Sequence, residues 1–502
     1  MDLDRRGFLK VSAGLGLGLG GHVSPAWAGE PVIEWPDNRF LKGNYAPVHD
    51  EVALDRLEVV GKIPDGLSGM YVRNGPNPQF PPKGQYHWFD GDGMLHGVLL
   101  RDGQASYRNR YVRTIGWEAE KKAGKALWGG LASIPDVSRL AKGEPLFKNA
   151  ANTALAWHNG KLMALWEGGE PYVVQVPELD TIGPYDFGKT LRHAFTAHPK
   201  VDPVTGEMMC FGYQPVAPFL QYSVVNREGK IVRTTAIELP RAVMMHDFAV
   251  TERYTLFLDL PATFDFKRML RGGPFLSFEP DARARLGVLP RLGEGKDVTW
   301  FEIPSCYVFH TLNAFEDGDA IVLLACRMKS FPQTLAMDSK SSTPAKPGQD
   351  DPKTFLYRWR LDMKTRTVKE EPLDDRITEF PRVNDTRLGR PTRFGYTIQG
   401  DMTGFVKYDL QTGTSTRHDH GPGRLGGEGV FVARPGAVEE DDGWLMTYVH
   451  DQASDTSELV VIDAKNFADS PTARVRIPAR IPHGFHGIWL PDAVMAGQLA
   501  RI

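Results

Sequence analysis

The chain has 502 residues, 41% hydrophobic and 10% aromatic, which is enough to bury a large core. Its 59 basic and 62 acidic residues are well mixed and leave a net charge of −3, so no basic stripe is offered to nucleic acid. Three cysteines, Cys210, Cys306 and Cys326, lie too far apart for a disulfide framework or a sulfur metal site and read as buried structural thiols.

The first 28 residues stand apart. Arg5-Arg6-Gly7-Phe8-Leu9-Lys10 is a twin-arginine pattern, followed by a weakly apolar, glycine-rich run from Val11 to Gly21 and an Ala26-Trp27-Ala28 cleavage site. This predicts an export signal over residues 1–28, a mature body of residues 29–502, and a periplasmic or otherwise extracytoplasmic site of action. The plainer alternative is a short N-terminal helix. No other segment approaches the roughly 18 uninterrupted apolar residues of a membrane-spanning helix, so the body reads as soluble or only surface-attached.

From about residue 55 onward, short strands separated by turns are predicted. Asp102-Gly103, Asn159-Gly160, Glu228-Gly229, Asp317-Gly318 and Asp442-Gly443 are turn dipeptides beside apolar or alternating runs such as 162–166, 254–260 and 320–325. A looser element repeats as Asp202-Pro-Val-Thr-Gly206 and Asp409-Leu-Gln-Thr-Gly413. Strands this short over some 450 residues favour an all-β sandwich, barrel or propeller, with the propeller the economical choice. The repeat is too degenerate to count blades. Two inserts interrupt the rhythm: residues 118–148, at helix-like spacing, and residues 264–291, read as irregular. Residues 339–352 read as a solvated loop. Inserts of this kind normally cover one face of a propeller, where function sits.

Four of the 14 histidines have suggestive surroundings: His198 in Phe195-Thr-Ala-His-Pro-Lys200, His246 in Met244-Met-His-Asp-Phe248, His310 in Phe309-His-Thr-Leu-Asn313, and His486 in Gly484-Phe-His-Gly487. Each falls at the start or end of a predicted strand. Taken singly, each reads as a satisfied core histidine, and their separations fit no local metal motif. In a propeller, however, the inner strands converge on the axis, so distant residues can meet.

Several stretches together resemble the carotenoid cleavage oxygenase family. They are Arg73-Asn-Gly-Pro-Asn-Pro78, His87-Trp-Phe-Asp-Gly-Asp-Gly-Met94, Ala197-His-Pro-Lys-Val-Asp-Pro203, Met244-Met-His-Asp247, Glu379-Phe-Pro-Arg382, Gly427-Glu-Gly-Val-Phe431 and Gly484-Phe-His-Gly487. They stand in the family's order from about residue 50 to the C-terminus. The resemblance implies a seven-bladed β-propeller with helical and loop inserts over one face, and a nonhaem Fe(2+) on the axis held by His198, His246, His310 and His486. It also implies three glutamates, Glu167, Glu379 and Glu428, that accept ring N–H bonds from those imidazoles. Such bonds fix the tautomer and raise the basicity of a metal-bound nitrogen. Without the motifs, each glutamate would read as a surface charge or a loop cap.

Imidazoles suit Fe, Cu, Zn and Ni, and four neutral ones leave the ion its full charge. No nucleophile motif, dinucleotide fingerprint or phosphate loop is present. The implied reaction is cleavage of one carbon–carbon double bond by O₂, giving two carbonyl products from an apolar polyene or a stilbene. Phe89, Trp166, Phe309 and Phe485, with Trp88, are candidate tunnel walls; ordinary core packing explains each one equally well. Stilbene-cleaving bacterial members of the family grip a phenolic hydroxyl with a tyrosine and a lysine. The lysine's place is Trp166 here and the tyrosine's is Leu131, a loss of polarity that favours a carotenoid or apocarotenoid. The alternatives are stilbene cleavage, the ester isomerisation and hydrolysis of related members, and a non-catalytic ligand-binding propeller. Residues 128–131 and 275–278 are candidates for an apolar rim touching a membrane, or for a lid. No protein partner is implied.

Overall fold

The computed structural model describes residues 34–131, 133, 136–271, 273–332 and 352–498. The expected export signal and residues 339–351 of the expected loop lie outside the described residues.

Residues 36–502 form one unit in which four-stranded antiparallel sheets follow one another along the chain. Blade 2 is Ala154–His158, Lys161–Leu165, Tyr172–Val174 and Thr181–Pro184. Blade 3 is Lys200–Val201, Met208–Tyr213, Leu220–Val225 and Ile231–Ile237. Blade 4 is Ala249–Val250, Tyr254–Asp259, Ala284–Pro290 and Thr299–Ile303. Blade 5 is Tyr307–Asp317, Ala320–Met328, Thr354–Asp362 and Val368–Pro372, and blade 6 is Thr378–Arg382, Phe394–Gln399, Gly404–Asp409 and Thr414–Asp419.

The remaining two blades are mixed from both chain ends. Blade 1 takes Gly69–Pro76, Gly93–Arg101 and Gln104–Tyr111, and receives the C-terminal Gly487–Pro491 as its inner strand. Blade 7 begins with Arg424–Leu425 and Val430–Ala433. It continues through Gly443–Asp451, Thr456–Asp463 and Ala473–Ile477, and accepts the N-terminal Glu58–Gly61 on its outer edge. The ring is therefore latched twice. The architecture is a seven-bladed β-propeller, as the resemblance implied.

Burial along the strands explains the architecture. Second strands are apolar almost throughout, because neighbouring blades cover both their faces: Lys161–Leu165 is buried at every position and Met208–Tyr213 at all but the last. Outermost strands alternate, as in Ile231–Ile237, where one face meets solvent. Among the described residues the buried apolar side chains sort into one cluster for each of the seven seams between adjacent blades and a smaller one, Met94, Tyr111 and Trp117, between blade 1 and the helix Ile115–Ala123.

Most of the expected turns are hairpins. Asp102-Gly103 and Asn159-Gly160 take left-handed backbone at both positions, which glycine and asparagine tolerate. Asp442-Gly443 does not: it ends a connecting segment, and Gly443 opens the strand Gly443–Asp451. The Asp202 and Asp409 elements are turns closed by the aspartate, whose Oδ1 accepts from the second and third following N–H groups. Asp362 and Asp451 build the same turn, but with Arg366 and Asp455 at the left-handed position that Gly206 and Gly413 occupy elsewhere.

The insert read at 118–148 contains one helix, Ile115–Ala123, which Thr114 caps and Gly124 ends in left-handed conformation, and a 3₁₀ segment Val137–Lys142. The insert read at 264–291 is shorter than expected. It is a hairpin, Ala262–Phe264 with Leu276–Phe278, around the helix Phe266–Leu270, and residues 284–290 are already a strand of blade 4. Both inserts leave the ring at positions that up-and-down topology brings to one face. Phe275 and Leu276 turn inward rather than forming a rim, and Phe278 packs on the core; the exposed apolar groups of this insert are Phe266 and Leu270. Trp128 and Leu131 are half-buried. Among the described residues, no helix is long and apolar enough to cross a membrane. Cys210, Cys306 and Cys326 are buried and free.

The C-terminal latch should carry much of the ring's stability. Leu490 is buried between blades 1 and 2, and Leu490→Ala should cost about 2–5 kcal/mol. Urea denaturation checks this; a loss below about 1 kcal/mol would show that the seam closes without it.

Candidate metal centre

Three of the four singled-out histidines stand where a connecting segment enters the inner strand of a blade. His486 immediately precedes Gly487–Pro491, and His198 and His246 shortly precede Lys200–Val201 and Ala249–Val250. His310 lies within the inner strand of blade 5, where the pairing with Ala320–Met328 shifts register on either side of Thr311. That bulge turns the strand locally and re-aims the imidazole. The structure brings the four rings together, with one ring nitrogen from each lying within 4.8 Å of the others. His198 Nε2 is 3.0 Å from His246 Nε2.

Each of the three glutamates meets a different imidazole. His246 Nδ1–H donates to Glu167 Oε2 (2.7 Å), His310 Nδ1–H to Glu379 Oε2 (2.6 Å), and His486 Nδ1–H to Glu428 Oε1 (2.8 Å). An ionised carboxylate only accepts, so these bonds place the proton on Nδ1 and leave the Nε2 lone pair facing inward. The carboxylates are themselves held. Tyr213 OH donates to Glu167 Oε1 (2.8 Å), the Gly487 N–H donates to Glu428 Oε2 (2.9 Å), and the Phe380 N–H donates to Glu379.

Burial pushes the His198 imidazole well down, and the three other rings add to this. His486 is lowered by burial, against the pull of Glu428. Burial acts the same way on His310, but Glu379 outweighs it and leaves that ring raised. Burial pushes Glu428 up, yet Arg382 and His486 hold its carboxyl down to about 2. Glu428 is thus an ionised acceptor beneath a desolvated ring. His310 Nε2 is buried with no hydrogen-bond partner, a costly state for a polar atom. A cation among the four nitrogens satisfies it, and the donor set suits a divalent first-row metal.

An aromatic layer separates this centre from a cavity. Phe309 meets His246 edge-on at 5.4 Å between ring centroids, Phe89 meets Phe309 at 6.5 Å and Phe485 at 5.4 Å, and Trp88 packs on Phe485 at 4.4 Å. Phe89 and Trp166 then line a cavity that opens to solvent, together with Leu131 and Phe147. Of the four expected tunnel residues, Phe89 and Trp166 face this cavity, while Phe309 and Phe485 belong to the layer in front of the imidazoles. A second, small cavity reaches Glu379 and Phe380 from the side of blades 6 and 7.

Two contributors escaped the sequence. Phe380 adopts left-handed backbone (φ 48°) and lays its ring on His310, 5.1 Å away and 26° from parallel, and near His486 at 5.3 Å. A bulky residue in that conformation is strained and marks a site. Its position directly after Glu379 in a matched motif was the available signal. Tyr213, at the end of a plain apolar strand, gave none.

The model of the family described as retinal pigment epithelial membrane protein matches residues 45–491. The chain belongs to the carotenoid cleavage oxygenase family. A carotenoid 9,10(9',10')-cleavage dioxygenase of Crocus sativus is 40% identical over 91% of this chain and 90% of its own length. Among solved structures, a lignostilbene dioxygenase of Pseudomonas brassicacearum covers 92% of this chain and 100% of its own at 32% identity, with a TM-score of 0.84. A variant of Synechocystis apocarotenoid oxygenase covers 89% and 98% at 30% identity, with a TM-score of 0.81, and that enzyme has also been solved in a cobalt-substituted form. The carotenoid cleavage oxygenase fold and its histidine cluster thus go with a metal-dependent oxygenase.

Two variants probe the cluster. His246→Ala should abolish metal retention, read by elemental analysis of the purified protein; stoichiometric metal in the variant would remove His246 from the ligand set. Glu167→Gln should lower activity about 10- to 100-fold while the protein stays folded; unchanged kinetics would show that the bond to His246 is incidental.

Proposed function

We propose that this chain is an iron(II)-dependent dioxygenase that cleaves one carbon–carbon double bond of a carotenoid or apocarotenoid, inserting both atoms of O₂ to give two carbonyl products. The observation that carries the reading is the four-imidazole cluster with three carboxylate-held rings behind an aromatic layer. His198, His246, His310 and His486 would hold the iron, which when bound supplies the redox activation of O₂ that no side chain here can provide.

The chain's own residues do the rest. Glu167, Glu379 and Glu428 hold the proton of three imidazoles on Nδ1, which fixes their orientation and turns the Nε2 lone pairs inward. Phe309, Phe485 and Phe380 exclude water from the centre, and the cavity beyond Phe89 takes an apolar chain, whose desolvation contributes about 25 cal/mol per Å² buried. Relatives named for carotenoid and apocarotenoid cleavage support this choice.

Cleavage of a stilbene is the second reading, favoured by the similarity to the lignostilbene dioxygenase. The cavity argues against it. Trp166 and Leu131 line it where a phenolic hydroxyl would need polar partners. Lys148, also in its wall, is committed to Asp92 (2.7 Å) and Glu120 (2.6 Å). Burial pushes the Lys148 ammonium down, but those carboxylates keep it raised and occupied.

The N-terminal pattern supports export by the twin-arginine route to the periplasm. Phe266 and Leu270, exposed on the hairpin insert, support a shallow contact with the membrane in which such substrates dissolve.

Iron-loaded protein incubated with carotenoids, apocarotenals and stilbenes should consume O₂ and yield paired carbonyl products from the polyenes. Turnover of stilbenes alone would replace the first reading by the second, and ester hydrolysis without O₂ consumption would replace both. Trp166→Lys should lower kcat/KM for the polyene by about tenfold or more, because it replaces an aromatic wall of the cavity with a charged side chain; an unchanged value would place the substrate elsewhere.

A further inference from the structure

His198 differs from its three companions. Among the described residues no carboxylate reaches its ring, so nothing comparable to Glu167, Glu379 or Glu428 fixes its tautomer or its orientation. What holds it lies beneath the centre. Lys200, two residues further on, puts its ammonium 2.7 Å from Asp247 Oδ1, and both side chains are largely buried. Asp247 directly follows His246. The same carboxylate accepts from the N–H of Phe248 at Oδ1 (2.8 Å), and at Oδ2 from the N–H (2.7 Å) and hydroxyl (2.8 Å) of Thr311. Thr311 directly follows His310 and sits at the bulge where the inner strand of blade 5 slips register. A bulge leaves an N–H outside the sheet ladder, and Asp247 takes it up.

We propose that Asp247 is a positioning residue for the metal centre, a single buried carboxylate that sets His198, His246 and His310 relative to one another by binding the chain one or two residues from each. It reaches across blades 3, 4 and 5. His486, the remaining imidazole, comes from the other side of the ring and is anchored separately, through Glu428 and the N–H of Gly487. The ammonium of Lys200 and the carboxylate of Asp247 cancel in charge, so the pair fixes backbone geometry without adding net charge beside the ion. This assignment rests on the reading of the four histidines as a metal site.

The test compares metal release to a chelator, thermal unfolding and the visible d–d absorption of the cobalt(II)-loaded protein, which reports ligand geometry independently of turnover. Asp247→Ala should release metal about 10- to 100-fold faster than wild type and change the cobalt bands. Thr311→Val, which keeps the N–H and loses the hydroxyl, should release it about fivefold faster, the worth of one hydrogen bond. Lys200→Met separates position from charge. A positioning role predicts faster release and altered bands, whereas a purely electrostatic role predicts slower release with unaltered bands and would overturn the proposal. A purely structural role would lower the melting temperature of these variants and leave release and bands unchanged in the folded protein, which would also overturn it. If Asp247→Ala does not fold, Thr311→Val and Lys200→Met decide the matter by the same readings. Wild-type protein that retains no metal would overturn the metal reading itself; wild type that retains it beside an unaffected Asp247→Ala would overturn only the role of Asp247.

Discussion

A ring of blades must close, and that constraint underlies the rest of the molecule. Each blade buries one face on the blade before it and the other on the blade after it, so seven apolar seams have to be satisfied together. Closure drives the inner strands toward a common axis. Positions nearly three hundred residues apart, His198 and His486, then come within 4.8 Å at their ring nitrogens. The centre is a product of the seams. No local motif could have made it.

Convergence alone would set four desolvated lone pairs against one another, an arrangement that electrostatics opposes. The carboxylates hold three rings in that arrangement by keeping their protons on Nδ1, and a cation among the four nitrogens would relieve it. Burial and the carboxylates pull in opposite senses, and the balance differs from ring to ring. His198 and His486 end below the usual imidazole range and His310 above it. Arg382 in turn keeps Glu428 ionised despite complete burial. Strain is stored in the same place, at the left-handed backbone of Phe380 directly after Glu379, and the slipped register around Thr311 directly follows His310.

Much of this was legible in the residues, and the reasons are specific. Turn dipeptides such as Asp102-Gly103 encode hairpins because few residues tolerate the backbone they need. The four histidines were legible through their flanking motifs, which is why resemblance rather than spacing picked them out. The blade count was hidden because the recurring aspartate turn accepts Arg366 or Asp455 where glycine would have advertised it. The 264–291 insert was overextended because the buried strand Ala284–Pro290 carries arginine, glycine and proline among its apolar residues. Asp247 stood in a quoted motif, but its two bonds from Thr311 depend on a bulge in another blade, and such a relation has no signature in either segment alone. The inward turn of Phe275 and Leu276 likewise depends on what they pack against.

The double latch has a consequence for how the enzyme matures. The strand Glu58–Gly61 is made early yet has no partner until Ala473–Ile477 exists, and Gly69–Pro76 waits even longer for Gly487–Pro491. The last donor of the cluster, His486, belongs to that same closing segment. During synthesis, then, a nascent chain can own three imidazoles and still lack a complete binding site. The fourth nitrogen donor thus arrives with the strand that closes the ring, so completing the four-donor cluster and closing the propeller are one event.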